Sequence, residues 1–330
     1  WYAAASGGSS LGTGVSFTTP SISSTTSYYV DATEGSCTTA SRTAVTATIL
    51  PIPSITATSP GSRCGTGTVT LGATASAGTV NWYTVSSGGV SVATGNSYTT
   101  PSISSTTTYY VDATNNGCTT TSRTAVIATV YDIPTITATT PGSRCGTGTV
   151  TLGATTSAGT VNWYTVSSGG SSVATGNSYT TPSISSTTTY YVDATNNGCT
   201  TGSRTAVVAT VNTIPTITGT TPNSRCGTGT VTLGATASAG TINWYAASSG
   251  GLSLGTETSF TTPSISSTTT YYVDATENSC TTASRTAVTA TVYPVPDAIA
   301  TPASQTICSG GTSNIALSSS VSGTTFAWTV

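Results

Sequence analysis

Thr68-Val-Thr-Leu-Gly-Ala73, followed after a short gap by Val80-Asn-Trp-Tyr-Thr84, reads with a period of two. Val69, Leu71 and Ala73 share one face and the threonines the other. Val80 and Trp82 point one way while Asn81 and Tyr83 point the other. Successive side chains of an extended chain lie on opposite faces, so each stretch predicts a half-buried strand. Working outward, residues 98–103 give another strand. Tyr109-Tyr-Val-Asp-Ala113 puts Tyr109, Val111 and Ala113 together, and Thr124-Ala-Val-Ile-Ala128 puts Val126 and Ala128 inside. Between these runs lie Ser86-Ser-Gly-Gly89, Thr94-Gly-Asn96 and Asn115-Asn-Gly117, residues that supply turn conformations. Short strands about every ten residues, Thr-rich outside and β-branched or aromatic inside, predict an all-β chain of sandwiches with no helix.

The same text recurs every 81 residues. Trp1, Trp82, Trp163 and Trp244 keep that spacing, as do Asp31, Asp112, Asp193 and Asp274 and the prolines Pro53, Pro134, Pro215 and Pro296. Such self-similarity is the signature of a tandem array. The expected boundaries fall beside the prolines: a C-terminal part of a repeat at 1–51, whole repeats at 52–132, 133–213 and 214–294, and a different segment at 295–330. Each linker is a few residues around one Pro, which fixes φ, so the array is expected to form an extended rod. Trp82, Trp163 and Trp244 are expected in the cores, packed on Leu71, Leu152 and Leu233 of the facing sheet.

Composition narrows the function classes. Charged residues make up 5% of the chain, the net charge is −2, and there is no His, Met or Lys. That excludes a nucleic-acid surface, which needs clustered Lys and Arg. No apolar 18-residue run predicts membrane insertion. Serine and threonine abound, but no His or Lys is present to activate one, and carboxylates do not pair. No Asp-x-Asp run suits calcium, and the cysteines from Cys37 to Cys280 alternate at spacings of 27 and 54, with Cys308 a further 28 on, rather than the close spacing of zinc sites. The expectation is no enzyme, no cofactor and no metal. Since Trp1 opens in mid-pattern and Val330 follows another Trp, the chain is read as a fragment cut at both ends. Tyr83 and Tyr110 point outward in this register; they fit either sugar stacking or cross-strand packing, and the packing reading is preferred.

Cys64, Trp82 and Cys118 follow the Cys, Trp, Cys order of immunoglobulin domains, yet Cys64 precedes its strand and Cys118 follows a turn. A wider resemblance rests on Cys64-Gly-Thr-Gly-Thr-Val-Thr-Leu71, Val80-Asn-Trp-Tyr83, Ser97-Tyr-Thr-Thr-Pro-Ser-Ile-Ser104, Tyr109-Tyr-Val-Asp-Ala-Thr114, Asn116-Gly-Cys118 and Arg123-Thr-Ala-Val126. These strings resemble the immunoglobulin-like repeats of giant Bacteroidota surface proteins, the class that includes gliding-motility adhesins exported by the type IX secretion system. Gln305-Thr-Ile-Cys-Ser-Gly-Gly-Thr-Ser-Asn-Ile-Ala-Leu317 with Phe326-Ala-Trp328 resembles the opening of a PKD-like domain. The resemblance implies an extracellular, outer-membrane-associated surface location. It also implies a role as the shaft of an adhesin, with an extracellular ligand such as a surface polysaccharide and with adjacent repeats as neighbours. The alternatives are a passive spacer in a secreted hydrolase and an array of carbohydrate-binding modules.

Export implies oxidised cysteines. Three pairings are open. Within-repeat pairing gives Cys64–Cys118, Cys145–Cys199 and Cys226–Cys280, and leaves Cys37 and Cys308 over. Pairing across the linker begins with Cys37–Cys64 and uses all eight. A third arrangement begins with Cys64–Cys199, because a sandwich puts the two kinds of cysteine-bearing turn at opposite ends. The within-repeat set is the expected one, since it makes each repeat self-sufficient. The recurring charges give a second expectation. A hairpin centred between Gly117 and Cys118 pairs residues whose numbers sum to 235, which sets Asp112 opposite Arg123, Tyr109 opposite Val126 and Val111 opposite Thr124. Asp31–Arg42, Asp193–Arg204 and Asp274–Arg285 keep the same offset, predicting an exposed cross-strand ion pair on the outer face of every copy.

Overall fold

The computed structural model describes residues 1–329. It contains strands and turns, with no helix among the described residues. Two compact units emerge: Trp1–Thr135 with Thr195–Gly202, and Ile136–Ala194 with the chain from Ser203 onward.

In the first unit the opening segment supplies β1 (Thr26–Val30), β2 (Thr33–Glu34), β3 (Cys37–Thr38) and β4 (Thr43–Ala47). The next repeat supplies β5 (Ile55–Ser59), β6 (Gly61–Cys64), β7 (Thr70–Ala75), β8 (Thr79–Tyr83), β9 (Ala93–Thr94), β10 (Ser97–Thr99), β11 (Thr107–Asn115), β12 (Cys118–Thr119) and β13 (Thr124–Tyr131). One sheet of that repeat runs β10-β7-β5 and the other β6-β13-β11-β8-β9, with β12 hairpinned onto β11. All pairs are antiparallel except β6 with β13, which run parallel. The chain thus contributes β5 to one sheet and, two residues later, β6 to the other. Pro60 sits at that switch, where a residue without an N–H donor costs no ladder bond.

Between the sheets lie Val69, Leu71, Ala73, Val80, Trp82, Tyr109, Val111, Val126 and Ala128. Trp82 is fully buried. Its indole N–H donates to the Gly95 carbonyl at 2.8 Å and its ring stacks on Tyr98 at 5.5 Å, so the one polar atom of the core ring has a partner. The second unit repeats this core. There Trp163 sits with Val150, Leu152 and Val161, and Trp244 with Val231, Leu233 and Ile242. Phe260 takes the place of the stacking tyrosine beside Trp244.

The ladder of β11 on β13 pairs Tyr109 with Val126 and Val111 with Thr124. The turn before it differs from the sequence reading. Asn115 pairs with Cys118 and Thr114 with Thr119, so the turn is centred on Asn116-Gly117 and not one position later. Both central residues have positive φ, 47° and 83°, the two-residue hairpin geometry for which Asn-Gly is suited. Residues 120–123 absorb the two-residue offset between this short hairpin and the longer ladder. Linker prolines Pro53, Pro134 and Pro215 are buried.

Candidate functional site

Asp112 lies on β11 opposite Asn81 of β8, and Tyr110 lies opposite Tyr83. Asn81 Nδ2 donates to Asp112 Oδ1 at 2.8 Å, and the Tyr83 hydroxyl donates to the same oxygen at 3.3 Å. Arg123 Nε donates to Oδ2 at 3.3 Å. The other end of the guanidinium reaches the carbonyls of Val85 and Gly88 at 2.8 and 2.7 Å, and its plane lies over the Tyr83 ring, 3.2 Å from the centroid. Arg123 therefore fastens the glycine turn at 85–89 to the strand that carries Asp112, and a Lys, with one charged nitrogen, would not reach all of these partners.

The other copies repeat the arrangement. Arg204–Asp193 and Arg285–Asp274 are both 3.2 Å, with guanidinium planes over Tyr164 and Tyr245. In the opening segment Arg42 reaches Asp31 at 3.2 Å, covers Tyr2 and bonds to the carbonyls of Ala4 and Gly7. Solvent contact departs from the sequence expectation. The side chains of Arg123 and Asp112 are only 12% and 8% exposed, so the pair is not a surface ion pair. Asn81 and the tyrosine ring cover it, which a face-by-face reading of one strand does not foresee. Burial, with the Asp112 carboxylate second, pushes the Tyr83 phenol above its ordinary value, and Tyr164 responds in the same way to burial and Asp193. With its ring under a guanidinium and its hydroxyl committed to Asp112, Tyr83 serves as an internal platform and not as a sugar-stacking surface.

The cysteines correct the within-repeat expectation. Cys64 bonds Cys199 and Cys145 bonds Cys280, each with a Cα separation of 5.5 Å and a sequence separation of 135. Cys64–Cys118, Cys145–Cys199 and Cys226–Cys280 do not form, and Cys37, Cys118, Cys226 and Cys308 are free. The reason lies in β6. Cys64 pairs with Tyr131 at the far end of β13, whereas Cys118 sits in the hairpin that leads into the near end of that strand. The eight residues of β13, Thr124–Tyr131, span roughly 23 Å over seven steps of ~3.3 Å each, and a disulfide tolerates about 7 Å between Cα atoms. Cys226 and Cys280 are separated in the same way, because Cys226 pairs with Tyr293. Each bond thus joins the β6-type strand of one repeat to the Asn-Gly or Asn-Ser hairpin of the next, the third arrangement open at the sequence level.

A recurrent arginine escaped the sequence reading. Arg63 Nε donates to the Gly65 carbonyl and Nη1 to that of Thr68, both at 3.0 Å, and Arg144 and Arg225 do the same in their repeats. A Cβ on Gly67, whose φ is +153°, would overlap the Arg63 guanidinium. The signal was available: Ser-Arg-Cys-Gly-Thr-Gly recurs at 62–67, 143–148 and 224–229 with both glycines kept.

Among the described residues no group of three or more His, Cys, Asp or Glu side chains is arranged to hold a metal ion. A hollow in the C-terminal segment, lined by Ser313, Ile315, Leu317, Phe326 and Trp328, contains no titratable side chain. No described helix is long and apolar enough to cross a membrane.

A family model described as Ig-like domain, CHU_C associated, matches four times, over residues 1–51, 52–131, 132–212 and 213–294. No curated protein matches the chain. Among solved structures, a three-immunoglobulin-domain segment of titin aligns over 75% of this chain and 100% of its own at 14% identity and a TM-score of 0.41. Sidekick-1 immunoglobulin domains 1 to 5 align over 83% and 67% at 16% identity and 0.35. Fibronectin(III)-like modules of Clostridium thermocellum CbhA align over 49% and 95% at 15% identity and 0.32.

Proposed function

Because the chain belongs to the CHU_C-associated Ig-like domain family, we propose that it is the repeat shaft of an extracellular surface adhesin, holding a binding part of the molecule away from the cell during attachment or gliding. One observation carries the reading: both disulfides join successive repeats at the same separation of 135 residues. A bond between modules serves a chain whose task lies in the linkage of its repeats, and stable disulfides belong to an oxidising compartment. The Asp, Asn, Tyr and Arg side chains that recur around Asp112, Asp193 and Asp274 are committed to one another. Asp112 accepts from three donors and Arg123 donates through Nε and Nη1 to three acceptors, so the repeats offer structure and leave recognition to other modules. The hairpin at Ile299–Thr301 and Ala316–Ser318 lies beyond the last matched repeat and is read as the opening of a PKD-like module.

Antibodies raised against residues 52–213 test the proposal. They should label intact producing cells, and deletion of whole repeats from the full-length protein should reduce attachment or gliding while the protein still reaches the surface. Unchanged attachment, with a hydrolytic activity copurifying on the same polypeptide, would replace the shaft of an adhesin with the spacer of a secreted hydrolase.

A further inference from the structure

The loops closed by the two disulfides overlap. One spans residues 64–199 and the other 145–280, so residues 145–199 belong to both. This overlap changes how the chain transmits a pull. From Cys64 the shortest covalent route to Cys280 crosses to Cys199, runs backwards along the 54 positions to Cys145, and crosses again to Cys280. The two 81-residue stretches, from Cys64 to Cys145 and from Cys199 to Cys280, lie outside this route. We propose that the interleaved disulfides make the array an extension-limited tether, in which load between Cys64 and Cys280 passes through two disulfides and one 54-residue segment while the remaining backbone is held slack.

The geometry supports a load-bearing role for that segment. Within a repeat the two cysteine positions lie at opposite ends of the long strand before the linker. Cys64 pairs with Tyr131 and Cys118 precedes Thr124, and Cys226 pairs with Tyr293 while Cys280 precedes Thr286. Tension entering at one cysteine position and leaving at the other therefore runs along the sandwich. At ~3.5 Å per extended residue, the bonded route can stretch to about 190 Å. The 216 positions from Cys64 to Cys280 (280 − 64) would reach about 760 Å without the bonds. Unfolding of the stretches outside the route adds nothing to the length. A single backbone cut anywhere between Cys64 and Cys280 also leaves the two sides joined, because at least one disulfide spans every position in that interval.

The inference rests on bond connectivity and not on the surface role proposed above, so the two can fail separately. The test uses the whole chain with Cys37, Cys118, Cys226 and Cys308 replaced by serine, pulled by its terminal tags in a single-molecule force instrument. These four cysteines are free and at least partly exposed, so the replacements leave the cores untouched. Full extension should increase by about 570 Å on reduction, the length of the two slack stretches at ~3.5 Å per residue. An increase of only about 190 Å, the value for a single Cys145–Cys199 bond, would overturn the proposal. A second measurement inserts a protease site between Ser171 and Ser172, in an exposed loop. After cleavage the protein should migrate as one species in denaturing gels without reductant and as two with it. Separation without reductant would also overturn the proposal. The additional replacements Cys199→Ser and Cys280→Ser should give the full extension, and two fragments after cleavage, with no reductant present.

Discussion

Removing Arg123 tests whether the buried ion pair governs the stability of its repeat. Arg123→Ala leaves the Asp112 carboxylate, 6% exposed, without the guanidinium that pairs with it. Loss of one partner of a buried pair costs about 3–5 kcal/mol. Asn81 and Tyr83 still donate to Oδ1, which places the expected loss at the lower end, near 3 kcal/mol. Stacking on Tyr83 adds about 0.5–2 kcal/mol, while the carbonyls of Val85 and Gly88 can turn to water at little cost. A total of about 3.5–5 kcal/mol is a large share of the stability of an 81-residue repeat, which at ~0.05–0.15 kcal/mol per residue is about 4–12 kcal/mol. Urea unfolding of the whole chain followed by tryptophan fluorescence reads the effect, since Trp82 is buried in that core. The variant should show an early transition displaced by about 2–5 M urea from the main one, for a slope near 1–1.5 kcal/mol per molar. Adding Asp112→Asn to Arg123→Ala should recover about 1–2 kcal/mol, because a neutral amide no longer strands a buried charge. A loss below about 1 kcal/mol, typical of an exposed pair, or no recovery in the double variant, would refute the argument.

Trp163→Ala removes a ring with no solvent contact and should cost about 3–5 kcal/mol, unfolding its own repeat while the fluorescence transitions of Trp82 and Trp244 stay in place; loss of all three together would contradict separate cores. Burial holds the phenols of Tyr83, Tyr98 and Tyr109 above the ordinary value of 10.0, so the neutral form is favoured by folding. Their contribution is fully present below that value and is lost as pH rises through the higher folded values, and urea midpoints should fall steeply only on the alkaline side; equal midpoints on both sides of pH 10 would remove the effect. Asp297 accepts from the Ser320 amide and from the Ser319 and Ser320 hydroxyls, which lowers its carboxyl to about 2. These bonds should persist as pH falls past the ordinary carboxylate range and release only near pH 2, followed through the Ser320 amide resonance; a midpoint near ~3.9 would show an unbonded aspartate.

The sandwich was legible in the sequence because its cause is local. Val69, Leu71, Val80, Trp82, Val111 and Val126 alternate with polar residues, and a period of two admits one buried face. The strand edges were less legible. Residues 55–59 and 61–64 carry little apolar alternation, so β5 and β6 were absent from the sequence reading, and β6 owes its place to pairing with β13 rather than to its own composition. The numerical register of Asp112 and Arg123 found the right partners, since the β11–β13 ladder sums to 235. It misplaced the turn, because the pattern of one face cannot reveal that residues 120–123 take up an offset.

The cysteine pairing shows most directly where local reading ends. Cys64 and Cys118 share a repeat, a spacing and an order, and nothing in the string distinguishes partners from neighbours. The missing information is the strand switch after Ser59, which carries Cys64 to the end of β13 remote from the Asn116-Gly117 turn. Once that switch is placed, a bond inside the repeat is too long by several fold, and the hairpin of the next repeat brings Cys199 within a Cα distance of 5.5 Å. The same reasoning explains why 135 is the separation: it is one 81-residue repeat beyond the 54 residues from Cys64 to Cys118. A tandem array of similar text therefore acquires an order of connection that no single repeat contains, because the bond is a property of two copies and of the strand that moves between sheets.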